Sequence, residues 1–242
     1  MKNNILKVFL LVVLLFSVSS LSAAVNVVDM FINGGVFMYI ISFLLVIMLI
    51  LAIIKYWQLS IKEKLNTQQF YLKLKGYIKN NQIEEAIRIC AQFKKTTLGF
   101  IFWNGLLGYN DGIKSGKKGV QLKQHLQNSF DEAGLQAIPN VEGGLFWFDI
   151  IAQISTLLGL LGTIFGLVTA FDSLANAPEA DKSRLLTEGI SMAMGTTAYG
   201  LIVAIPTMLI KGGLQARADK IINEIDEFSV KAINQISYSM KD

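Results

Sequence analysis

Three apolar runs without charged residues dominate the pattern of hydrophobic and polar positions, at about residues 36–54, 150–171 and 189–210. A helix of about 20 residues crosses the roughly 30 Å hydrocarbon core of a bilayer, so each run predicts one transmembrane helix. With the aromatic residues that flank the first two runs, we predict spans over 36–57, 147–171 and 189–210.

A shorter apolar run at the start of the chain is typical of a secretory signal peptide. Residues 8–16 form an apolar core after Lys2 and Lys7, and the small residues Ser22, Ala23 and Ala24 fit a cleavage site. We predict a signal peptide over 1–24 and a periplasmic N-terminus over 25–35. An uncleaved additional helix is the alternative, because the apolar core can extend into 17–24.

The basic residues are distributed unevenly between the spans. Residues 58–145 carry twelve lysines and arginines, whereas residues 173–188 carry only Lys182 and Arg184. Basic residues near span ends favour the cytoplasmic side. We therefore predict that residues 58–146 and the tail 211–242 are cytoplasmic and that residues 172–188 form a periplasmic loop. The chain is then multi-pass, with a periplasmic N-terminus and a cytoplasmic C-terminus.

Helical periodicity continues in the polar segments. In the tail, Ile221, Ile225, Phe228 and Ala232 recur at steps of three and four residues, which predicts an amphipathic helix that can continue the third span. Residues 80–81 predict a turn between two helices. Residues 110–119 (NDGIKSGKKG) predict the clearest loop of the segment, and their glycine and lysine spacing does not match that of a phosphate-binding P-loop. The pattern predicts an all-α membrane protein with three transmembrane helices and a helical cytoplasmic segment.

The composition narrows the chemistry that the chain can perform. Apolar residues make up 52% and charged residues 17%, which excludes an intrinsically disordered chain. A single cysteine and a single histidine exclude a thiolate or histidine metal cluster, and no catalytic set is visible. We expect no cofactor, no metal and no enzymatic activity. The net charge of +4 fits cytoplasmic lysines better than nucleic-acid binding, so membrane lipid is the expected contact.

Small residues recur along one face of the second span. Steps of three and four residues place them on a single side of a helix: Ser155, Gly159, Gly162, Gly166, Thr169 and Ser173. A similar set in the third span consists of Gly189, Ala193, Thr196, Thr197, Gly200 and Ala204. A helix face made of small residues allows a neighbouring helix to approach closely. We predict a helix-packing face formed by Ser155, Gly159, Gly162, Gly166 and Gly200.

Four threonines lie near the middle of the second and third spans. A hydrated ion pathway along Thr156, Thr163, Thr196 and Thr197 is one interpretation, since polar groups at membrane depth face a cavity or the bundle interior. Tight packing with hydroxyls bonded to their own helix is the other. Pro206 lies near the inner end of the third span, where it predicts a kink or is a tolerated membrane proline.

Two stretches carry a resemblance to a known family. Residues 154–167 (ISTLLGLLGTIFGL) resemble the second span of the MotA/TolQ/ExbB proton-channel family, and residues 195–206 (GTTAYGLIVAIP) are similar to its third span. The order of segments also matches the ExbB/TolQ branch: one span comes first, followed by a large cytoplasmic segment and two further spans. The MotA branch usually has four spans and fits less well.

The resemblance implies a bacterial inner-membrane ring, typically a pentamer, around partner subunits of the ExbD/TolR type. Each partner contributes a single span with an essential aspartate, past which proton motive force drives protons. The proton flow produces a motion of the complex, which is passed to a periplasmic effector such as a TonB- or TolA-like protein. Thr163 and Thr197 match the pore-lining threonines of the family. Met192 departs from it, because many members have Glu there and the nearest carboxylate here is Glu188.

The sequence therefore predicts an ExbB-like proton-channel subunit that energises TonB-type outer-membrane transport. A TolQ-like or gliding-motor subunit is the alternative within the family. A membrane scaffold that conducts nothing is the alternative outside it. Three helices cannot enclose a partner helix of about 10 Å diameter, so we expect a closed homo-oligomer. In it, the small faces of the second and third spans contact other subunits, and Gly166→Leu weakens the ring.

Overall fold

The computed structural model describes residues 35–63, 65–80, 82–175 and 177–239. The predicted signal peptide lies outside the described residues, as does the predicted periplasmic N-terminus up to residue 34. The helices are α1 (Gly35–Trp57), α2 (Thr67–Lys79), α3 (Ile83–Gln92), α4 (Thr97–Lys114), α5 (Gly119–Glu142), α6 (Phe146–Ala175) and α7 (Glu179–Ser239). A π-helical turn, Gln58–Lys62, follows α1.

The predicted all-α fold with three long apolar helices is confirmed. Within the described ranges every regular element is helical. Three helical stretches are long and apolar enough to cross a membrane, and they contain α1, α6 and the first part of α7. The residues at which each span enters and leaves the bilayer stay predictions, as does the ring.

The described residues form two compact units. The first comprises residues 35–54 and 144–213, which contain the apolar parts of α1, α6 and α7. The second comprises residues 55–143 and 214–239, which contain α2 to α5 and the C-terminal part of α7.

The first unit buries one side of α1 and leaves its other sides exposed. Met38, Ile41, Met48 and Ala52 are buried at helical spacing, whereas apolar residues such as Phe43 remain exposed. A helix that is apolar all round suits a lipid environment. α6 and α7 pack against each other through small residues, which are described below.

The second unit has an aromatic and aliphatic core centred on α4. Phe102 is fully buried and makes edge-to-face contacts with Phe70 on α2 and Phe130 on α5, at ring-centroid distances of 5.9 and 5.4 Å. Ile225 and Ile236 in the tail are buried in the same core. The predicted amphipathic tail helix that continues the third span is confirmed, because α7 runs unbroken from Glu179 to Ser239.

The predicted loop over residues 110–119 is wrong over its first half. α4 continues to Lys114, and only residues 115–118 separate it from α5. The glycine that suggested a turn has a packing role: a methyl group added at Gly112 would lie 2.8 Å from atoms of both His125 and Leu122 on α5. The turn itself uses Gly116, whose φ of +76° lies in the left-handed region. The predicted turn at Asn80 is confirmed, because α2 ends at Lys79.

Candidate functional site

The small-residue face of α6 lies directly against α7 of the same chain. A methyl group added at Gly162 would lie 2.7 Å from Thr196 Oγ1, and one at Gly166 would lie 2.9 Å from Ala193 Cβ. On α7, a methyl group at Gly200 would lie 2.5 Å from the carbonyl oxygen of Ser155. These distances leave no room for a side chain. The predicted packing-face residues are all buried at this α6–α7 seam: Ser155, Gly159, Gly162, Gly166 and Gly200.

The expectation that these small faces contact other subunits is therefore wrong. The faces of α6 and α7 already fill each other within one chain, because only residues 176–178 separate the two helices and their small residues are complementary. Gly159, for example, approaches the backbone of Thr196, Thr197 and Gly200. Any contacts between copies would use other faces, and Gly166→Leu would disturb the α6–α7 seam within one chain first.

Thr163 and Thr197 face each other across the seam. Their Oγ1 atoms are 3.3 Å apart, and both residues are partly exposed. Thr197 Oγ1 donates to the carbonyl oxygen of Gly159 at 2.8 Å, and Thr163 Oγ1 donates to that of Leu160. Each hydroxyl has one proton and two lone pairs. The two hydroxyl protons are therefore shared among three oxygen–oxygen contacts. Both threonine oxygens keep lone pairs that can accept a hydrogen bond from water.

The other two predicted pathway threonines do not join this pair. Thr156 Oγ1 donates to Ala152 O at 3.0 Å on an exposed side of α6. Thr196 is 2% exposed and donates to Ala193 O at 2.7 Å. Both hydroxyls are bonded within their own helix, as the packing alternative expects. Thr196 lies against Gly162 inside the seam.

The charged residues of the seam lie only at its ends. Lys211 Nζ and Asp149 Oδ2 form an ion pair of 3.1 Å between α7 and α6. From there to Asp172 on α6 and to Glu188 on α7, neither helix carries a charged residue. The site thus offers hydroxyls but no carboxylate. In the described ranges, no three His, Cys, Asp or Glu side chains come together as metal ligands.

A hydrogen bond between α1 and α7 was not predicted from the sequence. Tyr199 Oη lies 2.8 Å from Ser42 Oγ, which also donates to Met38 O at 2.8 Å. Because the single proton of Ser42 goes to Met38, Tyr199 is the donor of the interhelical bond. Ser42 is the only Ser or Thr in the first apolar run. This isolated hydroxyl was the feature of the sequence that could have indicated an interhelical hydrogen bond. Pro206 lies inside α7, and the kink stays a prediction.

One family model matches residues 106–227, half of the chain, including the seam and the threonine pair. The chain belongs to the MotA/TolQ/ExbB proton channel family. This membership and the three apolar helices indicate an inner-membrane protein.

Relatives named ExbB and TolQ match the chain. A biopolymer transport protein ExbB homolog of Methanothermobacter thermautotrophicus is 26% identical over 202 residues, 83% of this chain and 67% of the relative. Biopolymer transport protein exbB1 of Vibrio cholerae is 36% identical over 83 residues, 34% of this chain and 36% of the relative. Tol-Pal system protein TolQ of Haemophilus influenzae is 33% identical over 96 residues, 38% of this chain and 42% of the relative. The resemblance to the ExbB/TolQ branch is thereby confirmed.

Proposed function

We propose that the protein is an ExbB-like subunit of an inner-membrane proton channel that couples proton motive force to a periplasmic effector of the TonB type. The observation that carries this proposal is the Thr163–Thr197 contact, which pairs the hydroxyls of two partly exposed residues in the middle of uncharged spans. Membership in a proton-channel family supports it. Relatives named ExbB support the choice of an ExbB-like role within the ExbB/TolQ branch.

The chemistry requires a titratable group that the two spans of the seam do not supply. Neither α6 nor α7 carries a carboxylate at mid-membrane depth, and Met192 stands where many family members have Glu. We assign the proton-carrying aspartate to a single-span partner of the ExbD/TolR type. The lone pairs of Thr163 and Thr197 would then orient water beside that aspartate, since a hydroxyl can accept and donate without titrating.

The proposal also requires several copies of the chain around the partner spans. Both helices of the seam carry exposed apolar residues outside their small faces, and on α6 these include Leu157, Leu160, Ile164, Phe165, Val168 and Phe171. Some of these residues would contact lipid and others a neighbouring copy. Repeated heterologous contacts must close into a ring to avoid a filament. We propose five copies, as the family resemblance implies.

A TolQ-like role is the second candidate, because a relative named Tol-Pal system protein TolQ matches the chain at a similar identity. The two roles differ in the effector, which would be TonB-like in one and TolA-like in the other. Deletion of the chromosomal copy separates them. Loss of energised outer-membrane uptake supports the ExbB-like role, whereas loss of envelope integrity with uptake intact supports the TolQ-like role.

The double substitution Thr163→Val and Thr197→Val tests the proposed pathway. It keeps the volume of both side chains nearly unchanged and removes both hydroxyls. We expect proton flux through the chain, co-reconstituted with its single-span partner, to fall about tenfold, which corresponds to about 1.4 kcal/mol of lost hydrogen bonding. A pH-sensitive dye inside proteoliposomes measures the flux.

Thr169→Val is the matched control for this experiment. Thr169 is exposed on the same helix and its hydroxyl donates only to Phe165 of α6. Its loss should leave flux unchanged. Wild-type flux in the double variant, at equal recovery of the complex, would contradict the pathway. No flux in the wild-type complex would favour the non-conducting scaffold.

A further inference from the structure

One side of α5 combines exposed apolar and acidic side chains. Leu135 is 79% exposed and lines an open depression of about 410 Å³ together with Ile138 and Pro139. Steps of three, four and seven residues from Leu135 place three exposed acids on the same side of the helix: Asp131, Glu132 and Glu142. No lysine or arginine follows Lys123 on α5. We call these six residues, 131, 132, 135, 138, 139 and 142, the acidic face.

α2 presents an exposed side of the opposite charge. Leu72 is 61% exposed, and a methyl group added at Gly76, one turn further along, would have no other atom within 4 Å. Lys75 and Lys79 lie on the same side of the helix and are exposed. α2 carries Lys73 as a third exposed lysine and has no acidic residue. We call Leu72, Lys75, Gly76 and Lys79 the basic face.

The charges of the two faces are not compensated within one chain. In the part of the chain that the structure describes, no ion pair involves a lysine of α2 or an acid of the acidic face. Leu72 also borders a cleft that Glu224 and Glu227 of α7 line. These two acids are already paired, with Lys220 and Lys231 respectively. The basic face therefore keeps its positive charge, and the acidic face keeps its negative charge.

Both faces point away from the core of the second unit. Phe70 on α2 and Phe130 on α5 are buried against Phe102 of α4, whereas Leu72 and Leu135 lie on the exposed sides of the same two helices. Both helices belong to the predicted cytoplasmic segment, so in that topology the hydrocarbon of the bilayer does not cover either leucine. An exposed apolar centre with charged residues around it is typical of a protein interface.

We propose that the acidic face of one copy of this chain docks on the basic face of a second copy. Leu72 of one copy lies in the depression beside Leu135 of the next, between side chains of opposite charge. Two acidic faces, or two basic faces, would repel each other, which disfavours a symmetric contact between identical faces. The α2–α5 contact is heterologous, so repetition must close it into a ring. The inference rests on the proposed homo-oligomer and not on proton conduction.

Cross-linking between two differently tagged copies of the full chain tests this contact. Leu72→Cys carries one tag and Leu135→Cys the other, both in a Cys90→Ala background, and the two are co-expressed and treated in membranes with a short bifunctional maleimide. We expect a cross-linked dimer that contains both tags. Neither variant expressed alone should give a cross-linked dimer, because each cysteine faces the other helix in the neighbouring copy.

Leu72→Cys with Val120→Cys is the matched control pairing. Val120 is 81% exposed on α5, but it lies 15 residues from Leu135, about 22 Å along the helix axis. This pairing should give about tenfold less mixed dimer. An equal yield from the two pairings would show random collision and overturn the contact.

Charge reversal tests the electrostatic part of the contact in the same assay. Lys75→Glu with Lys79→Glu, added to the Leu72→Cys copy, should lower the yield of mixed dimer about tenfold, because acids then face acids. Asp131→Lys with Glu132→Lys, added to the Leu135→Cys copy, should restore the yield. Failure of this rescue would overturn the charge complementarity, since damage to either fold alone is not repaired by a change in the other copy.

Native mass spectrometry of the same samples separates this contact from the proposed ring. An oligomer without the mixed dimer would overturn the contact and leave the ring in place, whereas a monomeric chain would overturn both. Cross-linking of Leu135→Cys to itself, or to a co-expressed single-span partner in place of Leu72→Cys, would show another occupant of the acidic face and contradict the proposal. A mixed dimer in a complex that conducts no protons would support the contact and contradict only the proposed function.

Discussion

At the scale of single residues, the α6–α7 seam separates two kinds of small residue that the sequence presents together. Glycines such as Gly162 and Gly200 lie where an added methyl group would collide with the opposite helix. Thr163 and Thr197 lie beside them, and both residues are partly exposed. The glycines set the distance between the helices, and the threonine pair is the part of the seam that we propose contacts water or a partner.

Cys90 provides a residue-scale test of the core of the second unit. It is the only cysteine and is fully buried, and burial raises the pKa of its thiol to about 12. Because the thiolate is the reactive species, we expect maleimide to label the folded chain at pH 8 at least about a hundredfold more slowly than the chain denatured in dodecyl sulfate. Mass spectrometry of timed samples measures the rates.

A cysteine at an exposed position serves as the control for this rate. Ser115 lies in the turn between α4 and α5 and is exposed, so in Cys90→Ala with Ser115→Cys the new thiol should react quickly in the folded chain. Equal rates for Cys90 in folded and denatured protein would contradict the packing of this core.

At the scale of elements, periodicity predicted well which residues form helices. It predicted poorly which helices pack against one another. The amphipathic tail could be predicted because Ile225 and Ala232 recur at helical spacing. The small face of α6 was equally visible, yet periodicity defines a face without showing which helix covers it. The Tyr199–Ser42 bond joins residues 157 positions apart, which no local pattern reveals. Gly112 suggested a loop because glycine serves both turns and close helix contacts.

Gly166→Leu tests the seam as a unit of structure. A methyl group at this position would already lie 2.9 Å from Ala193 Cβ, so leucine must push α6 and α7 apart within one subunit. We expect a destabilisation of about 1–3 kcal/mol or more, as for other overpacked interiors. Thermal unfolding of the detergent-solubilised chain, followed by circular dichroism, measures the loss.

Val168→Leu is the matched control on the same helix, because Val168 is 61% exposed and its side chain has room to grow. Its stability should match the wild type. If Gly166→Leu unfolded like the wild type but lost its oligomers, the small face would serve contacts between subunits instead.

At the scale of the whole molecule, the predicted orientation places residues 58–146 and the tail in the cytoplasm. Green fluorescent protein folds poorly when exported in an unfolded state, so fusions at Gly116 and after Asp242 should fluoresce, whereas a fusion at Pro178 should be dark. Gly116 lies in an exposed turn, which suits an insertion. Alkaline phosphatase fusions at the same positions should give the reciprocal pattern. Fluorescence at Pro178 would contradict the predicted orientation.

The central claim is that this chain builds a proton path in which the titratable acid belongs to a partner. The claim rests on the uncharged middle of α6 and α7, since a threonine hydroxyl can accept and donate a hydrogen bond but has no pKa near neutral pH. In the proposed complex, this chain and its partner would therefore contribute different parts of the same pathway.

Proton flux into proteoliposomes under an imposed potential tests this claim most directly. Vesicles should contain the chain alone, the chain with its single-span partner, or the chain with a partner in which the membrane aspartate is changed to asparagine. The account predicts flux only with the unaltered partner. Equal flux through the chain alone, or undiminished flux with the asparagine partner, would contradict it.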